Sequence, residues 1–266
     1  MRRFPLRLTL DFKKVRAAQK LLGPARRPLA LHLDLAQFPA PAEASSADSG
    51  GAPSSSHPSR ESQVLSTVQR SPAPIVWIGG DTPLHYPDVA SIARGILNLG
   101  RTVFIEIDGT LLRRRIHEFR PVSGLYLALP LHGLEIRHDL RVGQPGSFKA
   151  TLESMRTAML SGFHICVETR IFADTDPGEL RALGQLLAKL DVDGWIQSPS
   201  NADLTMQISR LQLAAARALI PSLRWRIFSK FLNSTSGEMA PRLEKQNIVK
   251  RDEKEVAGPE EGLRAL

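Results

Sequence analysis

The chain contains six short segments in which apolar residues alternate with polar residues at every second position. In the first segment, Leu31, Leu33 and Leu35 alternate with His32 and Asp34. Successive side chains of a strand point to opposite faces, so this period predicts strands with one apolar and one polar face. The predicted strands cover residues 28–35, 75–78, 102–108, 124–131, 163–171 and 194–198.

Helical segments separate most of these strands, which is the pattern of parallel strands joined by right-handed crossovers. We predict helices at 8–22, 88–99, 109–120, 147–160, 176–190 and 201–220, with at most a short helix near 61–70 and a polar loop between 134 and 146. Six units predict a partial, TIM-like β/α barrel rather than a closed eight-fold one. Because helices cover the outside of such a barrel, the polar strand faces should point inward, toward the C-terminal mouth where ligands bind.

Composition divides the chain into three parts. Residues 1–27 hold nine Lys or Arg and one Asp, and predict a basic N-terminal helix. The barrel covers 28–220 and is interrupted at 39–59 by a low-complexity insert of Pro, Ala, Ser and Gly. A basic amphipathic segment with Trp225, Phe228 and Phe231 then leads into a charged tail, within 221–266. We expect the insert and the tail to be disordered, and the three aromatic residues to cap the barrel bottom rather than enter lipid.

Charge and cysteine content limit the classes of binding partner and the cellular compartments to be considered. The formal net charge of +8 favours an acidic partner, either a protein or an anionic membrane surface contacted by the basic ends. Few aromatic residues and no zinc-finger spacing argue against nucleic acid. The single cysteine, Cys166, is expected to be a small buried hydrophobe and favours a cytoplasmic protein, which could lie peripherally at the membrane.

Four short motifs resemble those of the radical SAM superfamily, whose core is a six-fold β/α partial barrel. They are Trp-Ile-Gly-Gly-Asp-Thr-Pro-Leu-His-Tyr-Pro-Asp at 77–88, Ile-Asp-Gly-Thr-Leu-Leu at 107–112, Leu-Pro-Leu-His-Gly at 129–133, and His-Asp at 138–139 followed by Gly-Ser-Phe at 146–148. In that family the glycine-pair backbone holds the methionyl amino group of S-adenosylmethionine. The resemblance therefore implies cofactor contacts at Gly79, Gly80, Asp81, Asp108 and His132.

The chain departs from the family at the place that matters most for its chemistry. The family carries three cysteines after its first strand, because three thiolates hold three irons of a four-iron cluster. Here residues 34–39 read Asp-Leu-Ala-Gln-Phe-Pro and run into the insert. Pro130 and His132 also replace a Ser and an Asp, and Thr82 adds one residue to the glycine-pair motif. We therefore expect no iron-sulfur cluster and no cofactor cleavage, and at most weak binding of S-adenosylmethionine.

Three functional interpretations stay open from the sequence. The favoured one is a pseudoenzyme, a non-catalytic auxiliary or scaffold partner of a biosynthetic enzyme, because the first strand leads straight into the insert. The second is a repurposed enzyme that binds S-adenosylmethionine, a nucleotide, phosphate or a divalent metal in its polar lumen. Its candidate ligand-binding residues are His32, Asp34, Glu106, Asp108, His132 and Glu168. If the ligand is a metal, His32, Asp34, Glu106 and Glu168 are the candidate metal ligands. Glu106 and Asp108 are alternatively an acid-base pair, or their negative charge is balanced by Arg170. The third is a membrane-surface protein, which is compatible with either.

Overall fold

Six parallel strands form one curled sheet whose spatial order follows the chain order. The computed structural model of the protein describes residues 5–22, 28–38, 58–80, 82–199 and 210–236. The strands are β1 (Ala30–Asp34), β2 (Ile75–Gly79), β3 (Thr102–Glu106), β4 (Leu125–Pro130), β5 (His164–Ile171) and β6 (Gly194–Pro199). The predicted six-fold β/α partial barrel is confirmed, with each strand within a few residues of its predicted bounds.

Helices cover the convex side and the ends of this half-barrel. They are α1 (Leu6–Leu22), α2 (Arg60–Arg70), α3 (Val89–Asn98), α4 (Gly109–Arg115), α5 (Glu135–Val142), α6 (Ser147–Leu160), α7 (Pro177–Leu190), α8 (Arg210–Ala218) and α9 (Leu223–Ser236). Short 3-10 turns lie at Leu35–Gln37, Pro83–His85 and Ile116–Glu118. Among the helices of these ranges, none combines the length and the apolar character needed to span a bilayer.

Helix α5 corrects the predicted polar loop between 134 and 146. Its apolar residues Ile136 and Leu140 are exposed, and among its side chains only His138 is buried. Five of the eight residues of α5 are charged or histidine, which favoured a loop, although Ile136 and Leu140 have the i, i+4 spacing of one helix face. Helix α4 also ends earlier than predicted, because the last turn of the 109–120 segment is the 3-10 turn Ile116–Glu118.

The predicted insert and tail fall almost wholly outside the described residues. Of the stretch 39–59, only 58 and 59 are described, and Ser59 is the N-cap of α2, where its side chain accepts a hydrogen bond from Ser62 N at 3.2 Å. Likewise residues 201–209 of the predicted last barrel helix and residues 237–266 of the tail lie outside them.

The concave face of the sheet begins with a layer of aromatic rings rather than with polar groups. His32, Trp77, Phe104, Tyr126 and His164 are register partners on β1 to β5. Neighbouring ring centroids lie 6.0, 5.1, 4.7 and 5.2 Å apart along this row. The lower half of the lumen is therefore packed, and the polar strand residues Glu106, Glu168 and Arg170 lie above it, toward the carboxyl ends.

Helix α9 packs against the two edge strands, β6 and β1, and so closes the open side of the half-barrel. Ser229 Oγ accepts a hydrogen bond from Gln197 N at 3.0 Å and donates one to Gln197 O at 2.9 Å, which pairs the free edge of β6. The Phe228 ring lies 6.2 Å from that of Phe104. Trp225 and Phe228 are thus buried, and Phe231 is partly buried against the same core.

Candidate active site

A cavity of about 200 Å³ opens at the carboxyl ends of the strands, above the aromatic layer. Arg170 lines this cavity together with five candidate residues from the sequence, which are Gly80, Glu106, Asp108, His132 and Glu168. Parallel β/α barrels bind their ligands at this end, so the cavity is the candidate site. Of the other predicted contacts of the glycine-pair motif, Gly79 is not among the residues that line the cavity, and Asp81 lies outside the described residues.

Glu106 is the most perturbed group of the cavity. Trp77 Nε1 donates a hydrogen bond to Glu106 Oε1 at 2.6 Å, and the Gly80 backbone N–H donates another to the carboxylate. Burial, together with the negative charge of Glu168, raises the pKa of Glu106 to about 7. The Arg170 guanidinium opposes this shift only weakly, since its nearest nitrogen is 4.0 Å from Glu106 Oε2. Glu106 therefore gains or loses its proton near neutral pH.

Glu168 faces Glu106 from β5 and is almost fully buried. Ser198 Oγ of β6 donates a hydrogen bond to Glu168 Oε1 at 2.6 Å. The negative charge of Glu168 disfavours the charged form of Glu106 and so contributes to the raised pKa of Glu106. The sequence did not identify Ser198 as part of this arrangement.

The glycine pair is needed because carboxylates lie directly against it. A β-carbon on Gly79 would come within 2.9 Å of the Glu106 carboxyl, and one on Gly80 within 2.6 Å of the Asp34 carboxyl. Gly80 also has a φ of 96°, which favours glycine. The inserted Thr82 has a φ of 41°, so it occupies the left-handed region that side chains rarely adopt. The turn after β2 is thus shaped by internal contacts and carries local strain.

Both candidate aspartates serve as helix caps. Asp108 Oδ1 accepts hydrogen bonds from Thr110 N at 2.7 Å and Thr110 Oγ1 at 2.8 Å, at the start of α4. Asp34 accepts one from Ala36 N at 3.0 Å, at the start of the turn Leu35–Gln37. Each therefore has a structural role at its position, whether or not it also contacts a ligand.

His132 is held in its neutral form. Its Nδ1 accepts a hydrogen bond from Arg170 N at 3.4 Å, and its own backbone N–H donates to His138 Nδ1 at 3.3 Å. Burial is the main cause that lowers the pKa of His132 to about 4, and the neighbouring His138 and Arg170 add to it. His138 Nε2 lies 3.3 Å from Ser147 Oγ. His138 and Ser147 line the cavity without having been singled out from the sequence, although both lie within its matching motifs.

The alternative metal ligands do not gather in one place. The His32 ring belongs to the aromatic layer, whereas Glu106 and Glu168 lie above that layer, and Asp34 caps a turn. In the part of the chain that the structure describes, no group of three or more His, Cys, Asp or Glu could hold a metal ion.

The thiol content does not fit a four-iron cluster at this site. The only cysteine of the sequence, Cys166, is fully buried in β5, and burial raises the pKa of its thiol. The chain after β1 forms the turn Leu35–Gln37, in which Asp34 is the capping residue. Since such a cluster needs several accessible thiolates, neither position can supply its ligands.

The fold and the position of its cavity define a β/α half-barrel protein of the kind that binds ligands at the strand ends. Residues 51–182 match the family model described as "Radical SAM superfamily". The matched residues are just under half of the chain, and together with the six-stranded partial barrel they agree with the resemblance to the radical SAM superfamily. The single cysteine of the sequence is consistent with a degenerate member of that superfamily.

Individual relatives agree with this family but share only part of their length with the chain. A curated AdoMet-dependent heme synthase of Methanosarcina barkeri (strain Fusaro / DSM 804) is 32% identical over 100 residues, which cover 37% of this chain and 29% of that protein. Streptococcus suis SuiB bound to S-adenosylmethionine has a TM-score of 0.54 at 13% identity, over 79% of this chain and 47% of that chain. A second structure of SuiB also has a TM-score of 0.54. The SuiB structures support the fold alone.

Proposed function

We propose that this protein is a non-catalytic auxiliary or scaffold partner of a biosynthetic enzyme, built on a radical SAM barrel. The observation that carries the proposal is the end of β1, where Asp34 caps a 3-10 turn at the place of the family's three cysteines. The relatives include enzymes, and their reductive chemistry depends on the cluster. Without thiolates for the cluster, a barrel of this family keeps its shape but not its electron source.

The bonding inside the cavity supports the same proposal. Glu106, Glu168 and Asp108 already accept hydrogen bonds from Trp77, Ser198 and Thr110. Catalytic side chains are positioned by their neighbours but remain able to contact a substrate. The cavity of about 200 Å³ is also smaller than the roughly 300–1,000 Å³ of usual small-molecule pockets.

Anaerobic reconstitution with iron and sulfide tests this proposal. After desalting, we expect no iron-sulfur charge-transfer absorbance and no stoichiometric bound iron, because one buried thiol cannot replace three ligands. The variant Cys166→Ala should give the same background as the parent protein. Stoichiometric iron and sulfide, together with reductive cleavage of S-adenosylmethionine followed by mass spectrometry, would contradict the proposal.

The convergence of Glu106, Asp108, His132, Glu168 and Arg170 on one cavity favours a second candidate function. In that case the barrel is a repurposed one that binds S-adenosylmethionine, a nucleotide or a divalent metal. A thermal-shift screen of S-adenosylmethionine, nucleotides, phosphate and divalent metals distinguishes these ligands. We expect any response to be limited to S-adenosylmethionine or a related nucleoside, at Gly79, Gly80 and Asp108; a ligand at a hundredfold excess over its Kd stabilises by about 2.7 kcal/mol.

The variant Asp108→Ala is expected to remove that ligand-induced shift. It should also lower the free energy of unfolding by about 0.5–2 kcal/mol without ligand, because Asp108 is a helix cap. Asp176→Ala is the matched control, since Asp176 caps α7 through Gly178 N and Glu179 N and is not among the residues that line the cavity. The control should lower the melting temperature but keep the shift. A zinc or manganese shift that disappears in His32→Ala would instead establish a metal-binding barrel.

A further inference from the structure

A groove with a volume of about 520 Å³ runs between α1 and α9, at the opposite end of the barrel from the cavity. Helix α1 lies near the amino ends of the strands, where the Arg7 guanidinium donates a hydrogen bond to the Gly100 carbonyl before β3. The groove walls carry Phe12, Lys13, Arg16, Lys20, Arg224 and Ile227. The groove is therefore formed by the two terminal helices that close the half-barrel.

Among the residues that the structure describes, four cations and no acidic residue line this groove. Lys13, Arg16, Lys20 and Arg224 are all exposed, and none of them takes part in an ion pair of the described residues. Asp11 is the acidic residue of α1, and its charged neighbours are Arg7, Lys14 and Arg101 rather than these four. The groove therefore has an uncompensated positive charge, to which a ligand with several negative charges is complementary.

The groove also has an apolar floor. Phe12 packs edge-on against Phe231 at a centroid distance of 5.0 Å, and the Arg16 guanidinium lies 5.7 Å from the centroid of the Phe12 ring. Ile227 of α9, which also lines the groove, is 40% exposed. A floor of exposed apolar side chains between cations matches a ligand that carries both carboxylates and apolar groups.

We infer that the groove between α1 and α9 binds an acidic amphipathic helix of a partner protein. Lys13, Arg16 and Lys20 are spaced by three and four residues, so they follow one face of α1 over about 10 Å. A partner helix with carboxylates at the same spacing can meet all three cations while its apolar side covers Phe12 and Ile227. The groove is concave, whereas a flat bilayer surface would contact the ridges of the helices and leave the floor uncovered. The inference rests on the proposed auxiliary function, which requires a protein partner.

Fluorescence anisotropy with a synthetic peptide tests this inference. The probe is a labelled helical peptide of about 18 residues with Glu at i, i+3 and i+7 beside a stripe of Leu, long enough to form a helix on binding. A peptide of the same composition, with the Glu residues distributed around the helix, is its control. We expect the patterned peptide to bind at least about tenfold more tightly, and its affinity to fall between about 0.1 and 1 M salt, where the Debye length shortens from about 10 to 3 Å.

Charge reversal in the groove should abolish this preference. The triple variant Lys13→Glu, Arg16→Glu and Arg224→Glu is expected to bind the patterned peptide at least about tenfold more weakly, because attraction becomes repulsion. The matched control reverses three exposed cations of α6 and α7, Arg156→Glu, Arg181→Glu and Lys189→Glu, and should bind like the parent protein. If circular dichroism shows that the groove variant is unfolded, the triple glutamine variant at the same positions replaces it.

Three results would overturn the inference: no binding of the patterned peptide, equal binding of both peptides, or an equal loss in the groove and control variants. Co-sedimentation with phosphatidylserine-rich vesicles is measured in parallel. Vesicle binding that the groove variant loses, without peptide binding, would assign the surface to a membrane instead. These assays do not depend on the reconstitution experiment. Absence of peptide binding would therefore contradict the proposed groove but not the auxiliary function, and a bound cluster would contradict the auxiliary function without changing the peptide result.

Discussion

Replacement of Trp225 by alanine is expected to lower the free energy of unfolding by about 3–5 kcal/mol, as truncation of large buried aromatic residues does. The Trp225 side chain is fully buried and contacts Phe228 edge-on at a centroid distance of 5.6 Å. It also lies directly against Gly194 of β6, where a β-carbon would come within 2.4 Å of its ring. Chemical denaturation followed by circular dichroism measures the change.

The control for this variant is Leu223→Ala on the same helix. Leu223 is 63% exposed, so its truncation should change the free energy of unfolding by less than about 0.5 kcal/mol. Gly194→Ala approaches the same contact from the strand and should also destabilise the protein, because the ring and the new methyl group cannot both be accommodated. A loss below about 1 kcal/mol in Trp225→Ala would mean that α9 does not stabilise the half-barrel.

The strands could be predicted from the sequence because their apolar faces are continuous. Leu31 and Leu33 of β1, and Val103 and Ile105 of β3, are all buried, and the period of two is unbroken there. Each predicted strand also ends near a turn residue or a helix cap, such as Gly80 after β2 and Asp108 after β3. These are local signals, which do not depend on contacts with distant parts of the chain.

The composition of the lumen could not be predicted in the same way. Alternation within one strand showed that His32 and Glu106 lie on polar or mixed faces, but it did not show at which height of the barrel each would lie. That height depends on the register between strands, which pairs His32 with Trp77 and Glu106 with Ala128. Register is set by packing among several strands, and it separates the predicted metal ligands into an aromatic layer and a polar layer.

The contacts of the glycine pair could not be predicted from the local sequence either. The resemblance implied that the glycine-pair backbone contacts a cofactor, and the structure adds that the Gly80 amide donates to Glu106, a residue 26 positions later in β3. Ser198 meets Glu168 from the next strand in the same way. Helix α5 was missed for a different reason, because five of its eight residues are charged or histidine and its two turns offer only one apolar i, i+4 pair, Ile136 and Leu140.

Together these contacts give the cavity a proton-binding character that does not require a cofactor. Glu106 and Glu168 lie near one another, with Arg170 at the rim and neutral His132 beside them. Trp77 and Ser198 each donate a hydrogen bond to one carboxylate of the pair. Protonation of Glu106 relieves the repulsion within the pair, so the stability of the barrel should depend on the ionisation of this residue.

Glu106→Gln is accordingly expected to stabilise the protein at alkaline pH. The folded-state pKa of Glu106 is raised from 4.5 to about 7, so the folded protein holds this proton more tightly than the unfolded chain. The resulting stability is fully present below pH 4.5 and is lost as the pH rises through 7, on the order of 3 kcal/mol in total. Glutamine can still accept the hydrogen bond of Trp77 and cannot ionise.

The difference in unfolding free energy between Glu106→Gln and the parent protein should therefore be small at pH 4.5 and favour the variant by about 3 kcal/mol at pH 8.5. The variant and the parent protein are compared at the same pH, because the stability that both derive from His132 has the opposite pH dependence. The folded-state pKa of His132 is lowered from 6.5 to about 4, so its contribution to stability is lost as the pH falls from 6.5 to 4. Glu153→Gln, in an exposed ion pair with Arg113, is the control and should show no such rise. A variant less stable than the parent at pH 8.5 would mean that the ionised Glu106 carboxylate is the form that the barrel favours.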